Sequence, residues 1–109
     1  MKKETVIDFG LSLPWAYQDF PFQQKMDYCV LRHQKNKKIF ALIFEKEEQT
    51  WVNVKVLPME GDFLRQSYEA IVPAYHMNKK HWVSVILDGS ISEEIIKGLI
   101  EKSYELTQK

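Results

Sequence analysis

Residues 38–45 read Lys38-Ile39-Phe40-Ala41-Leu42-Ile43-Phe44-Glu45, and residues 50–56 read Thr50-Trp51-Val52-Asn53-Val54-Lys55-Val56. The first stretch is an apolar run of strand length with a charge at each end. The second alternates Trp51, Asn53 and Lys55 against Val52, Val54 and Val56. Successive side chains of a strand point to opposite faces, so this period of two predicts a strand with one face buried. The polar residues 46–49 predict a turn between the two strands. Upstream, residues 26–32 include Tyr28, Cys29, Val30 and Leu31 and predict a further strand, followed by a polar hairpin turn over residues 33–37. Three strands joined by short turns make an antiparallel meander.

Helical patterns flank the meander. Over residues 4–13, Val6, Phe9 and Leu13 stand at helical spacing with Ile7 and Leu11 beside them. Pro14 should end that helix, because the residue before a proline avoids the helical region. Residues 15–24 then form a loop rich in aromatics (Trp15, Tyr17, Phe20, Phe22) and broken by Pro21. Such a loop is expected to lie against the core rather than project into water. Past Pro58, residues 60–68 predict a short helix anchored by Phe63 and Leu64. Residues 71–75 are expected to be extended, and residues 81–87 alternate as another strand. Asp88-Gly89-Ser90 signals a turn. In residues 92–106, Ile95, Ile96, Leu99, Ile100 and Tyr104 form an apolar helical stripe, with Ser90 or Ser92 as the cap. The order α-β-β-β-α-β-β-α predicts an α+β domain, with helices packed on one face of an antiparallel sheet.

The chain has 109 residues, the size of one domain, residues 1–109, without an internal repeat or linker. It is 45% hydrophobic and 13% aromatic, enough to build a core without staples. Cys29 is the single cysteine, so no internal disulfide can form. No apolar run reaches the roughly 18 residues that a membrane span needs, and the start of the chain lacks the apolar stretch of a signal peptide. A cytoplasmic protein without membrane contact is the expectation.

From residue 71 onward the sequence is distinctive. It runs Pro73-Ala74-Tyr75-His76-Met77-Asn78-Lys79-Lys80-His81-Trp82, then Leu87-Asp88-Gly89-Ser90, Leu99-Ile100 and Ser103-Tyr104. Earlier features stand in order: Leu13-Pro14, Tyr17, Asp19, Pro21-Phe22, Lys38 with Phe40-Ala41, and Asn53 with Lys55. Together these resemble the MmcQ/YjbR family over nearly the whole chain. Trp15, Gln23 and Ala74 depart from the pattern where glycine or another small residue is usual, as do Ser84 in place of threonine and Ser92 in place of proline. The resemblance implies a CyaY-like (frataxin-like) fold and a double-wing mode of DNA binding, in which loops straddle the duplex. It implies no reaction. The iron binding of frataxins needs an acidic ridge, and here the first helix offers only Glu4 and Asp8.

Two turns carry the charge suited to that function. His33-Gln34-Lys35-Asn36-Lys37-Lys38 and Asn78-Lys79-Lys80-His81 cluster ammonium groups with amide donors, the chemistry of phosphate contacts. Net charge is zero, so binding requires an uneven distribution. The acidic turn Glu45-Lys46-Glu47-Glu48 should lie at the sheet end opposite residues 35–38. Whether Lys79 and Lys80 share the basic end depends on strand order. The plain alternative is that lysine-rich turns keep the sheet soluble and its edges unpaired.

Tyr75, His76 and Trp82 could line a pocket or stack on a base, or could be core and turn residues, with Asn78 closing the turn through its own backbone. Trp82 is expected to be buried. His76 and His81 lack the spacing and the nearby Cys or carboxylate of a metal site, so no metal or other cofactor is expected. Cys29 is read as a small buried hydrophobe, and Asp19 and Asp88 as turn formers. No P-loop, dinucleotide fingerprint or serine elbow is present. The leading expectation is a non-enzymatic protein that contacts double-stranded DNA through Lys35, Lys37, Lys38, Lys79 and Lys80, with Asn78 and His81. The alternatives are a protein-interaction domain using the aromatic N-terminal loop or an open sheet face, and a small-ligand-binding protein or small enzyme using residues 75–82.

Overall fold

Alternating and apolar segments of this chain pair into one antiparallel sheet in the computed structural model, which describes residues 1–22 and 27–109. Among the described residues the elements are α1 (Lys3–Leu11), β1 (Ala16–Asp19), β2 (Cys29–His33), β3 (Ile39–Lys46), β4 (Gln49–Lys55), α2 (Pro58–Ser67), β5 (Ile71–Pro73), β6 (Trp82–Ile86) and α3 (Glu93–Leu106). The sheet order is β1-β2-β3-β4-β6-β5, and every neighbouring pair is antiparallel. The α+β expectation holds, with one strand added. Ala16–Asp19, expected as loop, pairs with β2 in the register Ala16↔His33 to Asp19↔Val30 and forms the sheet edge. The expected strand start at Met26 and the departure at Gln23 fall outside the described residues.

The helices cover one face. Val6 of α1, together with Ile96, Ile100 and Tyr104 of α3, packs on Leu31, Phe40, Ile43, Val52, Val54, Val83 and Val85. Gly10 lets α1 come close, since a Cβ there would stand 2.2 Å from Leu31 Cδ1. α3 is capped by Ser92, whose hydroxyl accepts from Ile95 N at 3.3 Å, while Ser90 belongs to the Asp88 turn. Ser103 of α3 sits where the β3–β4 ladder ends. Its hydroxyl donates to Phe40 O at 2.6 Å and accepts from Lys55 N at 2.8 Å, bridging the splayed strands. The expected anchor of α2 is half right: Leu64 packs on the core, but Phe63 is 68% exposed. α2 instead turns Gly61 inward, 3.0 Å from Val56 by the same Cβ measure, which sends Phe63 to solvent.

The second face is not open. Trp51 and Asn53 are buried, as are Val52 and Val54 on the other face. Tyr28, Val30, Leu42, Phe44 and Trp51 form a second cluster there, with Ile39, Val72, Met77 and Ile86 packed on it. The loop after β5 lies over this layer. Tyr75 packs 5.7 Å from Phe44 and 6.3 Å from Trp51 between ring centres, and the Lys46 ammonium lies 5.1 Å over Trp51 and 5.2 Å over Tyr75. A buried polar triad fixes that loop: Asn53 Nδ2 donates to Tyr75 O, Ser84 Oγ donates to Asn53 Oδ1, and Tyr75 N donates to Ser84 Oγ. No described helix is long and apolar enough to cross a membrane.

Candidate nucleic-acid interface

Strand order decides where the charged turns lie. β3 leaves the 34–38 turn at Ile39 and runs to Lys46, and β4 returns to Lys55. β6 is antiparallel to β4 with Lys55 opposite Trp82, so β6 begins at the end where β3 begins. The 34–38 and 78–81 turns therefore share one end of the sheet. The acidic turn stands at the other end, where Glu47 and Glu48, both at positive φ (53° and 64°), close a two-residue hairpin. Asp88 and the first turn of α3, Glu93 and Glu94, follow the β6 end on that acidic side. Carboxylates near the basic end belong to the helices, among them Glu101 and Glu105 in α3.

The two basic turns are built alike. Residues 36–38 and 78–80 are both Asn-Lys-Lys, and in each the asparagine Oδ1 accepts the backbone N–H two residues on, at 2.8 Å. This asparagine-closed turn was expected at Asn78; its copy at Asn36 was present in the sequence but not recognised. Lys37 takes φ 63°, left-handed backbone that Lys79 in the second turn does not adopt. One lysine of each pair bonds a backbone oxygen. Lys38 Nζ donates to Lys109 O, and Lys79 Nζ donates to Ala74 O at 3.0 Å. Lys35, Lys37 and Lys80 are exposed and make no side-chain hydrogen bond or ion pair among the described residues, although Lys37 Nζ lies 6.0 Å over the Tyr17 ring. His81 is half-buried, and its carbonyl accepts from Val56 N.

The first turn is latched to the end of α3. Asn36 Nδ2 donates to Thr107 O at 2.9 Å. His33, just before the turn, is buried between the Phe40 and Tyr104 rings and lies 2.7 Å from Thr107 Oγ1 through Nε2. The Thr107 hydroxyl donates to Ser103 O at 2.8 Å, so its oxygen accepts, which assigns the imidazole proton to Nε2. Burial holds the His33 imidazole below its ordinary value, against the opposing pull of Tyr104's backbone. His33 is thus a structural member of the basic stretch rather than a phosphate contact. Arg32 supports the same turn, donating to Lys37 O at 2.8 Å and pairing with Asp19 at 2.9 Å.

The aromatic loop differs from expectation. Trp15 is 75% exposed, Phe20 54% and Phe22 43%, because residues 16–19 are drawn into the sheet edge and leave their neighbours outside. Trp15 has φ 60°, left-handed backbone that costs a non-glycine residue roughly 1–2 kcal/mol.

Residues 75–82 divide. Asn78, Lys79, Lys80 and His81 join the basic end, and Trp82 opens β6 half-buried rather than fully buried. Tyr75 and His76 instead cross the second face, their rings 3.9 Å apart, with His76 at φ 66°. His76 borders a cavity of about 320 Å³ lined also by Phe22, Tyr28, Ile39, Leu42 and Met77. Burial raises the Tyr28 phenol above its usual range, and that of the Cys29 thiol likewise. Asp88 accepts from Ser90 N and Oγ, which holds its carboxyl below the ordinary value, as a turn former should be. Asp19 is a strand residue paired with Arg32 instead. No group of three or more His, Cys, Asp or Glu side chains suited to a metal ion occurs among the described residues.

The family model described as YjbR matches residues 11–106. The uncharacterized protein YyaQ of Bacillus subtilis is 39% identical, with 83% of this chain and 84% of that protein covered. The uncharacterized protein YbdF of Escherichia coli O157:H7 is 36% identical, covering 94% and 81%. A crystal structure of a Pseudomonas syringae protein superposes with a TM-score of 0.90 at 33% identity, over 99% of this chain and 100% of that one. One from Deinococcus radiodurans gives 0.87 at 32% identity, over 97% and 78%.

Proposed function

The chain belongs to the YjbR family, and from that premise we propose a non-catalytic protein that holds the phosphate backbone of double-stranded DNA through its two Asn-Lys-Lys turns. The observation that carries this reading is their common position at one end of the sheet, with the Glu47-Glu48 turn at the other. A chain of zero net charge can then meet a polyanion with its lysine turns and keep the Glu47-Glu48 turn at the far end. The strands bearing the turns, β3 and β6, are two steps apart, about 10 Å at ordinary strand spacing. That is on the order of the ~12 Å width of a major groove, a span two wings could straddle. Lys35, Lys37 and Lys80 supply the contacts; Lys38 and Lys79 spend their ammonium groups on backbone carbonyls.

The test is anisotropy titration of labelled duplex DNA at low and at physiological salt. Affinity should fall steeply with salt, and Lys35→Glu with Lys37→Glu should weaken binding by about tenfold or more. Unchanged binding by that double variant removes the reading.

The cavity beside His76 favours a second reading, a small apolar or aromatic ligand held on the second face. Its volume, about 320 Å³, is at the low end for ligand sites, and its lining is apolar apart from His76 and the Tyr28 phenol. Leu42→Trp, which fills the cavity, should abolish binding of any such ligand and leave DNA affinity unchanged.

A further inference from the structure

We propose that Trp15 is a stacking platform for an unpaired nucleobase, so that the basic end takes single-stranded nucleic acid in preference to duplex. This rests on the lysine–phosphate contacts of the reading above and makes a single strand, rather than the duplex, their preferred partner. Ala16, the first residue of β1, pairs with His33, so Trp15 lies at the basic end beside the 34–38 turn. Its left-handed backbone is held from three sides. Tyr104 Oη donates to Pro14 O at 2.5 Å, Gln34 N donates to Trp15 O at 2.8 Å, and Ala16 N donates to Leu13 O at 3.3 Å. A conformation unfavourable to tryptophan is thus imposed by its surroundings, and its effect is to put the indole into water at 75% exposure. Three-quarters exposure leaves the ring little part in the core.

Clefts of about 250 and 240 Å³ are each bordered by Trp15 and by Lys35. One continues along Pro14, His33 and Tyr104, the other along Gln34. An indole face flanked by open space, with an unpaired ammonium beside it, matches the two halves of a nucleotide: the base stacks and the phosphate is neutralised. Bases inside a duplex are stacked on each other, and an exposed ring reaches only those that are not. Phosphate contacts alone would not discriminate in this way.

The experiment compares a labelled oligothymidylate with a labelled duplex, titrated with the wild-type protein, Trp15→Gly, Trp15→Phe and the Lys35→Glu, Lys37→Glu double variant. Glycine accepts the left-handed backbone, so Trp15→Gly should melt at or above the wild-type temperature, and any loss of binding is a loss of the ring. The expected result is tighter wild-type binding to the single strand. Trp15→Gly should weaken that binding about tenfold and leave duplex binding unchanged, while Trp15→Phe retains most of it. If Trp15→Gly binds the single strand as tightly as wild type while the charge-reversed variant does not, stacking is overturned and the phosphate reading stands. If charge reversal changes neither affinity, the phosphate reading falls and takes this inference with it.

Discussion

Residues 36–38 and 78–80 spell the same tripeptide and make the same asparagine bond, yet they are supported by different parts of the molecule. The first is latched to the C-terminal end of α3 by Asn36 and, just upstream, by the buried His33 on Thr107. The second follows a loop pinned to the sheet by Asn53, Ser84 and the Tyr75 backbone. Even the lysine whose ammonium makes no hydrogen bond differs: the middle residue of the first triplet and the last of the second. The asparagine-closed turn is local chemistry, whereas the choice of outward-facing ammonium is made by whichever backbone carbonyl lies within reach.

The comparison can be broken at its supports. Asn53→Ala should have the largest effect, because it leaves the buried Ser84 hydroxyl proton without its acceptor and the Tyr75 carbonyl without its donor. The expected loss is roughly 2–3 kcal/mol in urea denaturation. A loss within about 0.5 kcal/mol, the range of an ordinary surface substitution, would mean that the triad does not anchor the second turn. Thr107→Val removes the acceptor of His33 Nε2 at almost unchanged volume and should cost about 1–2 kcal/mol, by the same measurement.

Finer variants sharpen it. Asn36→Ala loses two hydrogen bonds and Asn78→Ala one, so the first should be less stable by about 1 kcal/mol. Equal melting temperatures for the two variants would show that the Asn36–Thr107 bond contributes nothing. The smallest effect is in pH. His33 binds a proton less readily in the folded chain than in the unfolded one, whose imidazole has the ordinary value of about 6.5. Its contribution is therefore intact above that value and is lost as pH falls through the lower folded-state pKa. His33→Gln should flatten that part of the stability profile, and a profile identical to wild type from about 1.5 units above that value to about 1.5 units below it would exclude His33 as its source.

Much of this was legible in the sequence, because it rests on periodicity. The strand over residues 50–56 formed, with both faces buried rather than the one expected, and of the expected stripe Ile96, Leu99, Ile100 and Tyr104 meet the core while Ile95 is exposed. The misses share another cause. Ala16–Asp19 is a short strand lying between Pro14 and Pro21, and its partner is known only once β2 is placed. Burial of Asn53 and Trp51 depends on a loop that returns over the second face from more than twenty residues away. Trp15 was expected inside because it is apolar, but the hydrogen bonds on Pro14 and on its own carbonyl turn it out. The shared basic end needed the order β4-β6-β5, which no local pattern encodes. The repeated Asn-Lys-Lys, by contrast, was there to be read.

The Ser103 hydroxyl between β3 and β4 has a consequence for hydrogen exchange. The Lys55 amide is protected by a helix side chain and not by the neighbouring strand. Its deuteration in native conditions therefore reports the undocking of α3, while the amides further along β4 report the opening of the sheet itself. Because Lys55 lies opposite Trp82, at the root of the second turn, that single proton gives a clock for how often the helix lets go of the end of the molecule where both lysine turns stand.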